Sequence, residues 1–470
     1  MISALPLPSQ PHHHSKTERW CHLIGLVSLF IYAFTWQLSL DISRSFEPLI
    51  MLVYVIALCA HPQRLHMLRD PLWGLLGIWV VLQFVTIPIA NALFPDHADA
   101  QIKDMRHLSK VFFILPIAWL LAGRTRNGLW MLSLLFVGML LGGLFLGESW
   151  STLAHYIQAG KRPRLGFKNW EHAGVCAGVM MIALSCFLPR FLRWSGSLDS
   201  GLMHWGTRLG YTLAVILAVT GWLITRTRAS WLGIVVILLI ALIGVLWLLG
   251  RGHVRSRRTR FAILYGFIGL ALVMTVIGAL FGDAIISRVF AEHHVVLEVL
   301  SGDLSNVPYS SIGFRIHAWH YALQLIAERP WFGWGPQSHI PLLLSAPNPE
   351  LKAQAVSENL THFHNSYITL LVGNGVLGFA MFVAIAGVVG RAAWQSWRQG
   401  AMPNDVMIFL SLFFIFWVIV NCFESYVGYR TGIYLDGLIG GLAYSYAMRL
   451  RLEGMNKATS KTGKITRENG

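Results

Sequence analysis

Long apolar runs follow one another along almost the whole chain, with short polar or basic segments between them. About 20 apolar residues in a helix cross the hydrocarbon core of a bilayer, and lipid offers an unpaired backbone no hydrogen bonds. Continuous runs of this length are therefore helices and exclude a β-barrel. The pattern predicts twelve transmembrane helices, at about 21–40, 43–60, 71–94, 107–123, 129–147, 173–189, 211–225, 231–250, 261–282, 367–391, 406–423 and 432–448.

The charges between these runs predict the orientation of the chain. With a cytoplasmic N-terminus, the inner segments hold 22 of the 37 Lys and Arg residues, as the positive-inside rule requires. The predicted organisation is a cytoplasmic tail at 1–20, nine helices over 21–282, a large outer loop over 283–366, three helices over 367–448 and a basic cytoplasmic tail at 449–470.

Composition supports a membrane protein, because 55% of the residues are hydrophobic and 13% are charged, against about 25% charged in soluble domains. The net charge of +15 comes from basic residues that flank the spans. The chain has no nucleic-acid-binding module, so we expect membrane lipids and no nucleic acid as partners. Its five cysteines form no CxxC or Cys/His metal spacing, and we interpret them as small core residues.

The loop 283–366 is the one outer segment long enough to suggest a function, because loops of this length are otherwise uncommon. We expect the chain to re-enter the membrane at the end of this loop, at residue 366. An amphipathic helix within it is predicted by apolar residues at helical spacing: Ile316, Trp319, Leu323 and Ile326. Pro330, Gly333 and Gly335 predict its end.

Several basic residues lie on the outer side, against the positive-inside rule. They are Lys161, Arg162, Arg164, Lys168, Arg226, Arg228 and Arg315. Such residues could bind a lipid pyrophosphate at the membrane surface, since arginine binds phosphate oxygens bidentately. The alternative is that they are interfacial anchors whose side chains extend to lipid headgroups. Both interpretations stay open for Lys161, Arg162 and Arg226, and binding is favoured for Arg228 and Arg315.

Two histidines, His362 and His364, lie where the large loop meets the tenth predicted span. A histidine at this boundary titrates near neutral pH and could take a proton from a hydroxyl group. The pair could instead bind a metal, but no Asp-x-Asp motif and no third ligand lies nearby in the sequence. A purely structural histidine is the remaining alternative.

The residues from His364 onward resemble a motif of bacterial O-antigen ligases and related O-oligosaccharyltransferases. His364-Asn365 is followed by nine residues and then by Gly375-Val376-Leu377-Gly378, which fits His-[Asn/Ser/Gln]-x9-Gly-x-x-[Gly/Thr/Tyr] without departures. Two further stretches are similar to motifs of the same superfamily. In the first of them, Thr227 stands where the family motif has a serine. They are Arg226-Thr227-Arg228-Ala229-Ser230-Trp231 and the run of Arg315, Trp319, Pro330, Gly333 and Gly335.

The resemblance implies an all-α polytopic membrane protein, akin to the C-type membrane glycosyltransferases. It implies an enzyme in the bacterial inner membrane that needs no metal, nucleotide or other cofactor. Its donor would be a glycan on undecaprenyl pyrophosphate and its acceptor lipid A–core oligosaccharide, with transfer at the periplasmic face. The large outer loop would then be periplasmic.

Roles for individual residues follow from the chemistry and the resemblance together. His364 would be the general base, and Arg228 and Arg315 would neutralise the pyrophosphate leaving group. Further substrate contacts are expected from Arg226, Lys168, Arg164 and Asn365. Asn365 could orient the histidine ring or cap the helix that follows. Gly375 and Gly378 are expected to allow close helix packing. No paired carboxylates stand at a convincing spacing, which favours an inverting transfer.

Three other functions remain as alternatives. A protein O-oligosaccharyltransferase and an O-antigen polymerase use the same kind of donor, and the sequence separates them weakly from a ligase. A lipid-glycan transporter would carry charged residues inside its spans and repeated halves. Most charges here lie at span ends, with Asp436 as the main exception.

Overall fold

The computed structural model describes residues 15–61, 64–251, 292–301, 306–357 and 362–468, with short pieces between 275 and 290. Among these residues every regular element is a helix, so the predicted all-helical fold is confirmed for the described chain. The ninth predicted span, 261–282, lies almost entirely outside the described residues.

The described residues up to 251 form eleven helices. They are α1 (Lys16–Thr35), α2 (Leu40–Ala60), α3 (Arg64–Met67), α4 (Pro71–Leu93), α5 (Ala98–Ser109), α6 (Ile114–Leu121), α7 (Thr125–Phe145), α8 (Trp150–Gln158), α9 (Trp170–Gly196), α10 (Gly201–Ile224) and α11 (Arg228–Gly250).

The described part of the second half continues with shorter helices before three long ones. They are α12 (His293–Ser301), α13 (Ser311–Glu328), α14 (His339–Leu344), α15 (Pro349–Ser357), α16 (Ser366–Arg398), α17 (Asn404–Asn421) and α18 (Arg430–Glu468). Short 3₁₀ turns occupy Pro95–His97, Lys110–Phe113 and Tyr426–Gly428.

Polar side chains set the starts of many of these helices by accepting hydrogen bonds from N–H groups of the first turn, which have no partner inside the helix. The capping residues are Ser15, Asp70, Ser149, Asn169, Ser200, Ser310 and Asn365. Four of the capped helices, α4, α9, α10 and α16, are long and apolar enough to cross a membrane.

Eight of the described helices are long and apolar enough to span a membrane, namely α2, α4, α7, α9, α10, α11, α16 and α17. Each coincides with a predicted span. The predicted span at 107–123 is wrong as a single helix, because α5, a 3₁₀ turn and the eight-residue α6 divide it. The full count of twelve stays a prediction.

Helix α18 contacts α6 and α16, while α9 contacts α10 and α17. Residues 306–357 and 362–365, here called the loop segment, pack against α16 at one end of this bundle. We refer to that end as the loop end. The loop segment has a small apolar core of its own, which includes Phe314, Leu343 and Phe363.

Helix α13 confirms the predicted amphipathic helix, and two of its four predicted apolar residues, Trp319 and Ile326, pack against the core of the loop segment. Phe314, Ala318 and Ala322 are buried, whereas Leu323 is 61% exposed. The prediction counted only large apolar side chains at one spacing, so it left out Ala318 and Ala322, which are both buried. The predicted end is confirmed, since α13 stops at Glu328, before Pro330.

The glycine-containing stretch after α13 docks onto a break inside α16. Gly375 has φ +62°, and a Cβ there would lie 2.3 Å from the carbonyl oxygen of Trp331. Backbone hydrogen bonds join the two stretches, from Trp334 N to Val372 O (2.8 Å), from Gly335 N to Gly373 O (2.9 Å) and from Val376 N to Pro330 O (2.7 Å). The expected close packing at Gly375 is confirmed. A Cβ at Gly378 would meet only Asn374 of its own helix.

Candidate active site

Two histidines and one buried glutamate form the centre of the candidate site at the loop end. His364 Nδ1 lies 3.1 Å from Glu424 Oε2, and His362 Nε2 lies 3.2 Å from Glu424 Oε1. Glu424 is 1% exposed, whereas the His364 side chain keeps 18% of its surface exposed. The centre therefore presents His364 outward, with the carboxylate behind it.

Hydrogen bonds fix the protonation of the two rings. The backbone N–H of His364 donates to His362 Nδ1 over 3.0 Å, so His362 carries its proton on Nε2 and donates it to Glu424. Burial, and next the neighbouring His364, hold the pKa of His362 well below its ordinary value, so this ring is neutral near pH 7. When His364 Nδ1 donates to the other carboxylate oxygen, the lone pair of that ring lies on Nε2.

The backbone around these histidines is not helical, and His364 itself has φ +52°. Trp319 Nε1 donates to the carbonyl oxygen of Phe363 over 2.8 Å, which holds the turn against α13. A residue without glycine's freedom is strained in this left-handed region and persists there only when its surroundings hold it. The expectation that His362 points away from His364 is wrong, because it assumed helical spacing.

Glu424 is the residue that sequence reasoning missed. It lies 60 residues after His364, between α17 and the turn Tyr426–Gly428, and only the fold brings it to the histidines. The expectation that His362 and His364 have no third ligand nearby is therefore wrong. Ligand atoms of these two histidines and Glu424 lie within 4.8 Å of one another, which is a geometry that could hold a metal ion.

Asn365 caps the helix that follows the histidines. Its Oδ1 accepts hydrogen bonds from the N–H groups of Tyr367 and Ile368, at 2.9 and 3.1 Å. The capping alternative is thus confirmed, and Glu424 takes the position that would orient the His364 ring. A substrate contact of Asn365 stays a prediction.

The two arginines proposed for the donor each pair with a carboxylate at the loop end. Arg315 Nη2 lies 3.2 Å from Glu171 Oε1, and Glu171 in turn lies within hydrogen-bonding reach of Glu424. Arg315 therefore belongs to the histidine centre. Arg228 Nη1 lies 3.0 Å from Glu292 Oε1.

Glu292 links the start of α11 to the start of α13. Its second oxygen accepts hydrogen bonds from Ser310 Oγ at 2.5 Å and from the N–H of Ile312 at 2.6 Å. Burial acts to raise the pKa of Glu292, but these hydrogen bonds and the Arg228 charge hold it below its ordinary value. The ionised carboxylate thus joins Arg228 to Ser310 and Ile312, which lie about one helical turn before Arg315.

Lys168 is the third predicted cation that the fold brings to the centre. Its Nζ lies 3.9 Å from the ring centroid of Tyr429, and that ring lies 5.1 Å from the ring of His362. Lys168 is also close enough to Glu424 to interact with its charge. A phosphate or an acidic sugar beside the histidines would therefore lie near this ammonium group.

Arg226 and Arg164 are not brought to the histidines. Arg226 Nη1 donates to the carbonyl oxygen of Gly160 over 3.1 Å. Arg164 contacts Glu148 only through its backbone N–H, at 2.6 Å, and its side chain is exposed. Within the described part of the chain, no contact connects either side chain to the histidine centre. Their predicted substrate contacts stay predictions.

A carboxylate pair is present in space although none was visible in the sequence. Glu171 and Glu424 come together from residues that lie more than 250 positions apart. No pair stood at a convincing spacing in the sequence because these two residues lie so far apart in the chain. Glu424 nevertheless has both oxygens engaged by histidines and is buried, so it could not attack an anomeric carbon as a retaining nucleophile must.

Replacing Glu424 with glutamine is expected to reduce the catalytic rate at least about tenfold. Both rings donate to the carboxylate, but an amide accepts through one oxygen only, so its NH₂ group would face one ring N–H. One of the two rings must then turn or change its tautomer. Where His364 does so, its Nε2 carries the proton and cannot accept one, so only part of the protein remains active. Rates of purified Glu424→Gln, compared with the exposed control Glu350→Gln, test this. Equal rates in both variants would exclude an orienting role.

Part of the chain that contributes to this site is similar to a known protein family. The family model described as O-antigen ligase matches residues 213–383, a stretch that includes Arg228, Arg315 and His364. No protein of curated function matches the chain. The match indicates glycosyltransferase activity of the ligase or polymerase type in a membrane protein, as the resemblance implied. Residues 213–383, about a third of the chain, are thus similar to the O-antigen ligase family.

Proposed function

We propose that this protein is an O-antigen ligase, which moves a glycan from undecaprenyl pyrophosphate to lipid A–core oligosaccharide at the periplasmic face of the inner membrane. The observation that carries the proposal is the His364–Glu424 pair beside the Arg315–Glu171 pair, in which His364 and Arg315 lie inside the stretch matched by the family model. A base and a phosphate-binding cation at one place are what this transfer requires.

His364 is the proposed general base. An acceptor hydroxyl attacks the anomeric carbon while its proton passes to His364 Nε2, and Glu424 stabilises the imidazolium that results. The new carbon–oxygen bond forms as the bond to the pyrophosphate breaks. The proton leaves His364 afterwards, to the released pyrophosphate or to water. Attack opposite the leaving group inverts the anomeric centre.

Arg315 and Arg228 are proposed to neutralise the pyrophosphate as it leaves. Each guanidinium is held by a carboxylate, so its position is set before the donor arrives. Fixed charges of this kind need no reorganisation during the reaction, and burial strengthens their effect. The carboxylates lower the net charge of the site, which leaves Lys168 as a further positive group beside Tyr429.

The choice between a ligase and its alternatives is tested by the acceptor. Purified protein with lipid-linked glycan is offered lipid A–core, an acceptor peptide rich in serine and threonine, or no acceptor. Transfer to lipid A–core alone is expected. Transfer to the peptide would identify a protein O-oligosaccharyltransferase, longer lipid-linked chains would identify a polymerase, and movement of donor without transfer would identify a transporter.

The proposed reaction is metal-independent. Activity is therefore expected to survive EDTA with less than a twofold change, because the histidine–glutamate hydrogen bonds already account for the arrangement. The measurement is the transfer rate before and after chelation, followed by single divalent cations. Loss of activity that one cation restores would contradict the proposal and would make His362, His364 and Glu424 ligands.

The proposed topology puts the loop segment in the periplasm and both termini in the cytoplasm. Lys352 lies exposed on α15 and is a suitable reporter position. In a cysteine-free background, Lys352→Cys is expected to react with a membrane-impermeant maleimide in intact spheroplasts. Reaction only after the membrane is opened would reverse the orientation.

A further inference from the structure

A second charged pocket lies at the loop end, between the α1–α2 turn, the turn Lys110–Phe113 and the first turn of α18. The charged residues and the histidine among its lining are Arg44, Glu47, His107, Lys110 and Arg430. The Gln37 side chain joins its α1–α2 wall to the loop that bears Lys168, by donating to the carbonyl oxygen of Gly166 over 2.6 Å. None of the lining residues takes part in the proposed mechanism.

The charges of this pocket leave two guanidinium groups available. Lys110 Nζ pairs with Glu47 Oε2 at 2.6 Å. Arg44 and Arg430 are both exposed, and neither guanidinium forms an ion pair or hydrogen bond with any described residue. Partial burial lowers the pKa of Arg430, and the nearby Arg44 charge lowers it further, so the two guanidinium groups lie close together. Two like charges that face one pocket favour an anion between them.

Acidic neighbours do not remove this preference. Besides Glu47, the exposed Asp41 interacts with Arg430 over a longer distance, but it forms no ion pair with a described residue. Three cations therefore face two carboxylates, of which one is already paired. The negative charges of Glu47 and Asp41 also reduce the repulsion between the two guanidinium groups.

Aromatic rings form the remaining wall of the pocket. Trp36 and Tyr434 are stacked with centroids 4.6 Å apart, and Tyr32 stacks on Tyr434 at 4.4 Å. Each of these three rings is only 5–6% exposed, so together they close this side of the pocket and leave its charged side chains to contact a ligand.

The pocket adjoins the histidine centre. Arg430 follows Tyr429 directly, and the Tyr429 ring separates Lys168 from His362. Lys168 lies within electrostatic range of both Glu424 and Arg430. A saccharide held at Arg430 could therefore place a neighbouring sugar at His364.

We infer that Arg44 and Arg430 bind a phosphate group of the acceptor glycolipid and so align its reacting hydroxyl with the histidine centre. The inference rests on the proposed function, because only a transferase needs an acceptor at this place. Arginine is suited to this role, since its planar fork holds two phosphate oxygens at once. The donor pyrophosphate is the other possible source of phosphate, and the experiment separates the two.

The test measures binding without transfer. Full-length protein in nanodiscs is titrated with lipid A–core and with the same acceptor after enzymatic dephosphorylation, with no donor present. We expect Arg44→Gln/Arg430→Gln to bind the phosphorylated acceptor about 10- to 100-fold more weakly than the wild type, the scale of losing charge-assisted hydrogen bonds. Dephosphorylation of the acceptor should weaken its binding to the wild type by the same factor. The double variant should bind the dephosphorylated acceptor no more weakly than it binds the phosphorylated one.

Lys352→Gln is the matched control, because it removes an exposed cation from the loop segment outside the pocket. Unchanged acceptor affinity in the double variant, or an equal loss for both forms of the acceptor, would overturn the inference. Weaker donor binding with unchanged acceptor binding would assign the pocket to the donor and overturn it as well. A wild type that binds acceptor through its phosphates but transfers no glycan would refute the proposed function alone.

Discussion

Replacing His364 with alanine is expected to lower the rate of glycan transfer about 10²- to 10⁴-fold, the usual contribution of a positioned general base. A sugar hydroxyl is a poor nucleophile until its proton is shared, and the His364 ring is held by Glu424 with Nε2 as the acceptor nitrogen. The measurement is the transfer rate of the purified variant at saturating donor and acceptor. Donor affinity should stay within about twofold, because the arginines remain.

The control for this variant must lie outside the centre. His362 does not, since it contacts Glu424 and accepts the His364 N–H, so His362→Ala should show an intermediate loss. His320 is suitable, because it is exposed on α13 and contacts Gln324. A His364→Ala variant that transfers glycan as fast as His320→Ala would remove His364 from the mechanism.

Replacing Arg315 or Arg228 with alanine is expected to cost about 2–4 kcal/mol of transition-state stabilisation each, the scale of losing one charge-stabilising donor. The reason is that the pyrophosphate would leave without its fixed counter-charge. A lysine at either position keeps the charge but loses the bidentate fork, so it should restore part of the activity. The measurement is kcat/KM for the lipid-linked donor.

The ion pair at Arg315 supplies a sharper test. Alanine there also strands the Glu171 carboxylate, and an unpaired charge at this place is costly by itself. Arg315→Ala/Glu171→Gln removes that charge. If Arg315 binds the donor, the double variant should remain as slow as the single one. Recovery of most of the wild-type rate would mean that Arg315 only neutralises Glu171.

The sequence predicts much of the fold, for a physical reason. Lipid forces apolar runs into helices, so hydropathy alone locates the eight described helices that could cross a membrane. It fails at 107–123, where a continuous apolar run is divided by the 3₁₀ turn Lys110–Phe113. Hydropathy measures how apolar a segment is, and it contains no information on where a helix breaks.

The candidate site is predicted in part. His364, Arg315 and Lys168 come together as a resemblance and a charge pattern suggested. Glu424 and Glu171 were missed, because each is a single acidic residue beside an apolar helix and gains its partners only through tertiary packing. The burial of Ser366 against Asn421 and the Glu424 backbone shows the same packing between α16 and α17. A charged residue at the end of a late span is the signal that could have pointed to Glu424.

The central claim is that His364 catalyses glycan transfer from a lipid pyrophosphate. A single-turnover experiment tests it most directly, with labelled donor bound to the wild type or to His364→Ala before lipid A–core is added. The wild type should convert bound donor to glycosylated lipid A–core in EDTA, while His364→Ala holds the same amount of donor and leaves it unreacted. Equal conversion by both proteins, or none by the wild type, would contradict the claim.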